Sequence, residues 1–168
     1  RAWDAGPRGS ERDAHTATGG QARRVQRHLL VPTLQALQSR VGWISEGGIG
    51  YVCLRLGVPP ADAWGVATFY AMLATTPRPR RVLHVCDDIA CRGRGALALC
   101  NDLKTRAGPP IAHAPLGYHT TLHPDRAAWM HSPCLGLCDQ SRAAVVTEAG
   151  NTHDQRLRGH MTTDIGRA

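Results

Sequence analysis

Four cysteines in two pairs constrain this chain more than any other feature. Cys86 and Cys91 have four residues between them, Cys134 and Cys138 have three, and each pair follows a short β-type run. Val82-Leu83-His84-Val85 precedes the first pair, and residues 127–131 precede the second. Chain segments that leave two strands in this way can face each other as loops. A fold that set the two strand ends side by side would gather four thiols in one place.

The pattern upstream is helical. Leu30, Leu34 and Leu37 share one helical face, and Gly42 follows as a stop. A second helix is predicted from near Ser45, with Ile49, Val52, Cys53 and Leu56 at i, i+3, i+4 and i+7, stopping before Gly57. A third is predicted over 60–73 on Val66, Phe69, Tyr70 and Leu73. Residues 27–76 therefore read as a small helical bundle, and Pro77-Arg78-Pro79-Arg80 as a connector. A second unit, 81–168, begins with the Val82–Val85 strand. It continues through a loop carrying Cys91 to a helix over 95–107 with Ala96, Leu99, Cys100 and Leu103 on one face. Further strands are predicted over 118–122, 127–131 and 143–147, and a helix start at Thr162-Thr163-Asp164. This order indicates an α+β or α/β fold with few helices. Residues 1–26, rich in glycine and charge, have no hydrophobic period and read as a mobile or partner-binding tail.

The formal charge of +7 is concentrated: residues 1–30 and 78–94 each carry about +3. No aromatic-interleaved basic face accompanies it, so nucleic acid is not an expected partner. No window approaches the roughly 18 apolar residues needed to span a bilayer, and Arg1 to Arg27 lacks an apolar signal core. The expected location is the cytoplasm, free or peripheral to a membrane complex, without direct membrane insertion. In that compartment six cysteines serve as metal ligands or buried thiols more readily than as disulfides.

Paired thiolates suit a [2Fe-2S] cluster, since each iron takes two sulfurs in tetrahedral geometry. They also suit a redox-inactive four-cysteine zinc site that would make the chain a structural interaction subunit, although zinc usually takes tighter C-x2-C knuckles. Spacing alone leaves both open. Cys53 and Cys100 fall on apolar helix faces and read as core residues. Gly93-Arg94-Gly95-Ala96-Leu97-Ala98 fits a dinucleotide fingerprint, but Cys86 and Cys91 occupy the turn where pyrophosphate would lie, and no acidic residue follows at the required distance. These glycines read instead as letting the backbone and the following helix N-terminus approach the cluster. His84 and His131 read as packing or solvent-facing. Asp87, Asp88 and Asp139 would resist the addition of an electron, whereas Arg92 and Arg94 would favour it. No hydrolytic triad or carboxylate pair is apparent, so no catalytic residue is assigned.

The segments Leu34-Gln35-Ala36-Leu37-Gln38, Gly42-Trp43-Ile44-Ser45 and Gly65-Val66-Ala67-Thr68-Phe69-Tyr70 precede Cys86-Asp87-Asp88-Ile89-Ala90-Cys91 and Ser132-Pro133-Cys134-Leu135-Gly136-Leu137-Cys138-Asp139. Over residues 27–150 the chain so resembles the 24 kDa-type [2Fe-2S] subunit of respiratory complex I, which also serves as the gamma or diaphorase subunit of NAD-dependent formate dehydrogenases and NAD-linked hydrogenases. The resemblance implies a helical bundle followed by a thioredoxin-like ferredoxin domain, with Cys86, Cys91, Cys134 and Cys138 as cluster ligands. It implies an electron carrier that is not an enzyme by itself. Its partners would be a flavoprotein subunit holding FMN, NAD(H) and a [4Fe-4S] cluster, together with other subunits of the complex. Hydride would pass from NADH to FMN on the partner, and single electrons would then reach this chain. Such a domain occurs both as a separate subunit and fused ahead of the flavoprotein.

Overall fold

The computed structural model describes residues 26–111, 127–150 and 154–159. A 3₁₀ turn, Arg27–Leu29, leads into α1, Leu30–Val41. Helix α1 ends at Gly42, whose φ of +96° is costly for any residue with a Cβ. Helix α2, Glu46–Leu56, starts at Ser45, whose hydroxyl accepts the Gly48 amide hydrogen at 3.1 Å. Helix α3, Pro60–Phe69, opens on a proline, where the missing N–H has no intrahelical partner to lose. Leu30, Leu34, Ile44, Ile49 and Val52 fill the centre of this bundle, and Cys53 joins them as expected. Burial of each large side chain contributes about 1.5–3 kcal/mol.

The third helix departs from expectation. It stops at Phe69, Tyr70 adopts an extended conformation, and Leu73 enters the core from the segment beyond. The buried face is Ala63 and Ala67, whose small side chains permit close approach, while Phe69 is 81% exposed. The stretch is apolar nearly all round, so its periodicity did not distinguish the bulky face from the buried one. Phe69 and Tyr70 meet edge to face with centroids 5.3 Å apart.

The sheet contains β1, Arg81–Cys86; β2, Ala128–Ser132; β3, Ala144–Glu148; and β4, Asp154–Arg158, in the order β2-β1-β3-β4. Strands β1 and β2 are parallel, and the other two pairings are antiparallel. Parallel neighbours require a crossover. Among the described residues two helices lie along it: α4, Ile89–Arg92, and α5, Ala96–Ala107. Helix α5 lays Leu99, Cys100 and Leu103 on Val85, Trp129 and Ala144, which confirms the expected core position of Cys100. The Trp129 indole N–H donates to the Gly108 carbonyl at 2.9 Å, tying the end of α5 to β2. Neither α4 nor β4 was expected from the sequence. The expected strand over 118–122, the helix start at Thr162 and nearly all of the tail lie outside the described residues.

Gln38 ties α1 to the segment after α3, donating to the Met72 carbonyl at 2.8 Å and accepting from the Ala74 amide at 2.7 Å. Bundle and sheet meet where the Gly150 amide donates to the Ser39 carbonyl at 2.9 Å and Arg78 Nε donates to the Gly42 carbonyl at 2.8 Å. A cleft of about 210 Å³ runs between them, lined by Gln38, Tyr70, Arg78, Arg80, Thr147 and Glu148 among others. Burial pushes the Arg78 guanidinium down to about 10.

Candidate metal centre

The parallel register of β1 and β2 places Cys86 opposite Ser132, so both chains leave the sheet at the same end. They are one strand spacing apart, about 4.8 Å. Cys86 closes β1 and is 2% exposed, with its amide donating to the Ala143 carbonyl at 3.0 Å. Cys91, equally buried, lies in α4. Cys134 and Cys138 occupy the loop after β2, and both are exposed. Their sulfurs are 3.3 Å apart, and Cys86 and Cys91 pack in one buried cluster. Cys138 also feels the charges of Cys91 and Cys86. All four predicted site residues thus meet at one end of the sheet, as two pairs. Among the described residues, no three His, Cys, Asp or Glu side chains form a group about one point.

The donor set fits a cationic, sulfur-ligated centre. Burial pushes the Cys86 thiol up, while the backbone N–H groups of Asp88 and Leu135 act in the opposite direction by donating to its sulfur. Cys138 is pushed up chiefly by its hydrogen bond to the Cys134 thiol and further by the crowding of neighbouring sulfur charge. The Gly136 amide reaches Cys134 Sγ at 3.4 Å. Metal cations would offset both the burial and the crowding of thiolates. Ala96 and Ala143 pack with Cys86 and Cys91, and Leu135 and Leu137 cover this apolar cradle.

The amides that reach sulfur come from the two cysteine loops. Those of Arg94 and Gly95, in the turn before α5, bond instead to the Cys91 and Arg92 carbonyls. Gly95 precedes α5 at φ +93°, and its conformation turns the chain from α4 into α5. His84 is buried and its Nε2 lies 3.3 Å from the Thr147 hydroxyl, consistent with a packing residue. His131 is half-exposed, against Trp129, with Nδ1 3.1 Å from Asp87 Oδ2. Sequence reasoning assigns Asp88 only a charge. In the structure its Oδ1 accepts the Ile89 amide hydrogen at 2.7 Å and its Oδ2 accepts that of Cys134 at 3.2 Å. An Asp directly before a helical turn is a capping signal that could have revealed the first of these bonds.

A family model described as thioredoxin-like [2Fe-2S] ferredoxin matches residues 18–164. An NADH-quinone oxidoreductase subunit of Pseudomonas aeruginosa is 28% identical over 123 residues, covering 73% of this chain and 69% of that protein. Its Escherichia coli namesake is 28% identical over 123 residues, covering 73% and 70%. A crystal structure of an NAD+-reducing [NiFe]-hydrogenase in the air-oxidized state shares the fold, with a TM-score of 0.56 and 24% identity. That match covers 80% of this chain and 20% of the hydrogenase chain. With the family match extending over most of its length, the chain belongs to the thioredoxin-like [2Fe-2S] ferredoxins.

Proposed function

We propose that Cys86, Cys91, Cys134 and Cys138 hold one [2Fe-2S] cluster, and that the chain is an electron-carrier subunit of an NADH-oxidising or NAD-reducing complex. The observation that carries this reading is the presentation of two thiol pairs from adjoining loops at the ends of two parallel strands. Each pair suits one iron, and the family is described by such a cluster. The relatives from Pseudomonas aeruginosa and Escherichia coli are named as subunits of NADH-quinone oxidoreductase, which supports a multisubunit setting.

When bound, the cluster supplies one-electron redox chemistry. The chain's own residues position and tune it. The Gly136 amide, donating to Cys134 Sγ, would stabilise negative charge there, and Leu135 and Leu137 would limit water at the buried pair. Cys134 and Cys138 open to the outside, where a redox partner can approach. That partner, in this proposal, is a flavoprotein whose FMN exchanges single electrons with this chain, and it also holds NAD(H) and a [4Fe-4S] cluster. The division into a bundle over 27–76 and a cluster domain over 81–168 belongs to the same proposal, and the separate hydrophobic centres of bundle and sheet support it. No helix among the described residues is long and apolar enough to cross a membrane. Attachment through other subunits of the complex is part of the proposal.

Anaerobic purification with iron, sulfide and zinc analysis tests the assignment, followed by EPR after dithionite reduction. About two irons and two sulfides per chain with a rhombic S = 1/2 signal are expected. About one zinc per chain and no signal would overturn the proposal in favour of a structural zinc subunit.

A further inference from the structure

We propose that Asp88 is a positioning residue for the metal centre, acting as a bracket that sets the separation of the two cysteine loops. This rests on the cluster reading above. The residue bears on both cysteine loops through its two carboxylate oxygens. Its Oδ1 accepts the Ile89 amide hydrogen at 2.7 Å and fixes the start of α4, the turn that carries Cys91. Its Oδ2 accepts the Cys134 amide hydrogen at 3.2 Å, reaching across 46 residues of chain to the second loop.

Charge alone does not account for a carboxylate here. A negative group beside thiolates raises the cost of every further negative charge, including an added electron. The geometric return offsets that cost. A carboxylate has acceptor capacity on both oxygens, so one side chain can hold an amide from each loop, and bonds to an ionised acceptor are shorter and stronger than neutral ones. An Asn at this place has one accepting oxygen and would turn an NH₂ donor toward the remaining amide. The loop after β2 has no helix or strand of its own between Ser132 and Ala144, so a tie to the better-ordered first loop has most to contribute there.

The test compares D88A, D88N and D139N with wild-type holo-protein, all purified anaerobically. Metal release to a chelator, the EPR g-anisotropy and the midpoint potential are recorded. D139N neutralises a carboxylate beside Cys138 and leaves the bracket intact, so it reports the effect of charge. Release about 10- to 100-fold faster in D88A is expected, with D88N between D88A and wild type, as for other outer-shell partners of metal ligands. The g-anisotropy should change in both Asp88 variants. D139N should shift the potential upward while releasing metal at the wild-type rate. Wild-type release rates in both Asp88 variants, or equal acceleration in D139N, would overturn the proposal. If D88A accumulates no folded protein, the isosteric D88N decides by the same criteria. Metal identity in the wild type tests the cluster reading separately: were it zinc, that reading would fall, and the ratio of zinc release rates would still decide the role of Asp88.

Discussion

Replacing Arg78 with methionine should make the chain more stable. The guanidinium is largely buried at the junction of bundle and sheet, where burial lowers its pKa well below the ordinary value, to about 10. That difference corresponds to about 3 kcal/mol of lost hydration carried by the folded state at neutral pH. The cleft beside Arg78 admits water and reduces this cost. Methionine would retain most of the packing but leave the Gly42 carbonyl without its 2.8 Å donor, a loss of about 1 kcal/mol. The net expectation is a gain of about 1–2 kcal/mol, or about 2–8 °C in Tm for a chain of this size. Urea unfolding of the metal-free, reduced protein would show a higher midpoint at unchanged slope. The sign also fixes a pH signature. Above about pH 10 the unfolded chain binds more protons at this site than the folded one, so wild-type stability gains from Arg78 as pH rises past that value. R78M should lack that contribution. An unchanged or lower midpoint in R78M would refute the reasoning and show that the bond to Gly42 outweighs the lost hydration.

Leu34→Ala, at a fully buried position in α1, should cost about 2–5 kcal/mol in urea unfolding. Burial raises the Cys53 and Cys100 thiols above their ordinary 9.0. Their contribution to stability is therefore complete below pH 9 and lost as pH rises toward their folded values, and C100V should flatten that alkaline decline in a thermal-melt series. Removing metal with a chelator under reducing conditions should empty the site but leave far-UV circular dichroism nearly unchanged, because the strands that present the cysteines are held by their own ladder and by the α5 core. Global unfolding on metal removal would show that the metal, rather than the sheet, organises this end of the molecule.

The cysteine pairs were legible in the sequence because each is a local feature, and the strands before them were marked by short runs of apolar residues. That β1 and β2 are parallel neighbours was not legible, since strand pairing depends on the crossover and the shared α5 core. Helix α3 misled because Phe69 and Tyr70 have the right spacing for a core face, while the close approach of the helices selected Ala63 and Ala67 instead. Strand β4, with Leu157 as its only apolar residue, lies at a sheet edge, where one flank needs no partner and alternation is weak. Asp88 was visible in the sequence only as a charge. Its bond to Cys134 was not, because nothing local records a contact across 46 residues.

The unequal burial of the two cysteine pairs makes the proposed centre lopsided. Cys86 and Cys91 would hold it from the apolar side, beside Ala96 and Ala143, and Cys134 and Cys138 from the side open to water. Reduction adds one unit of negative charge, and that charge costs less where water can solvate it than in the apolar cradle. Cys134 and Cys138 would therefore form the side on which added charge is solvated. A redox partner would meet the centre at that exposed rim, and the buried pair, Cys86 and Cys91, would serve mainly to anchor it.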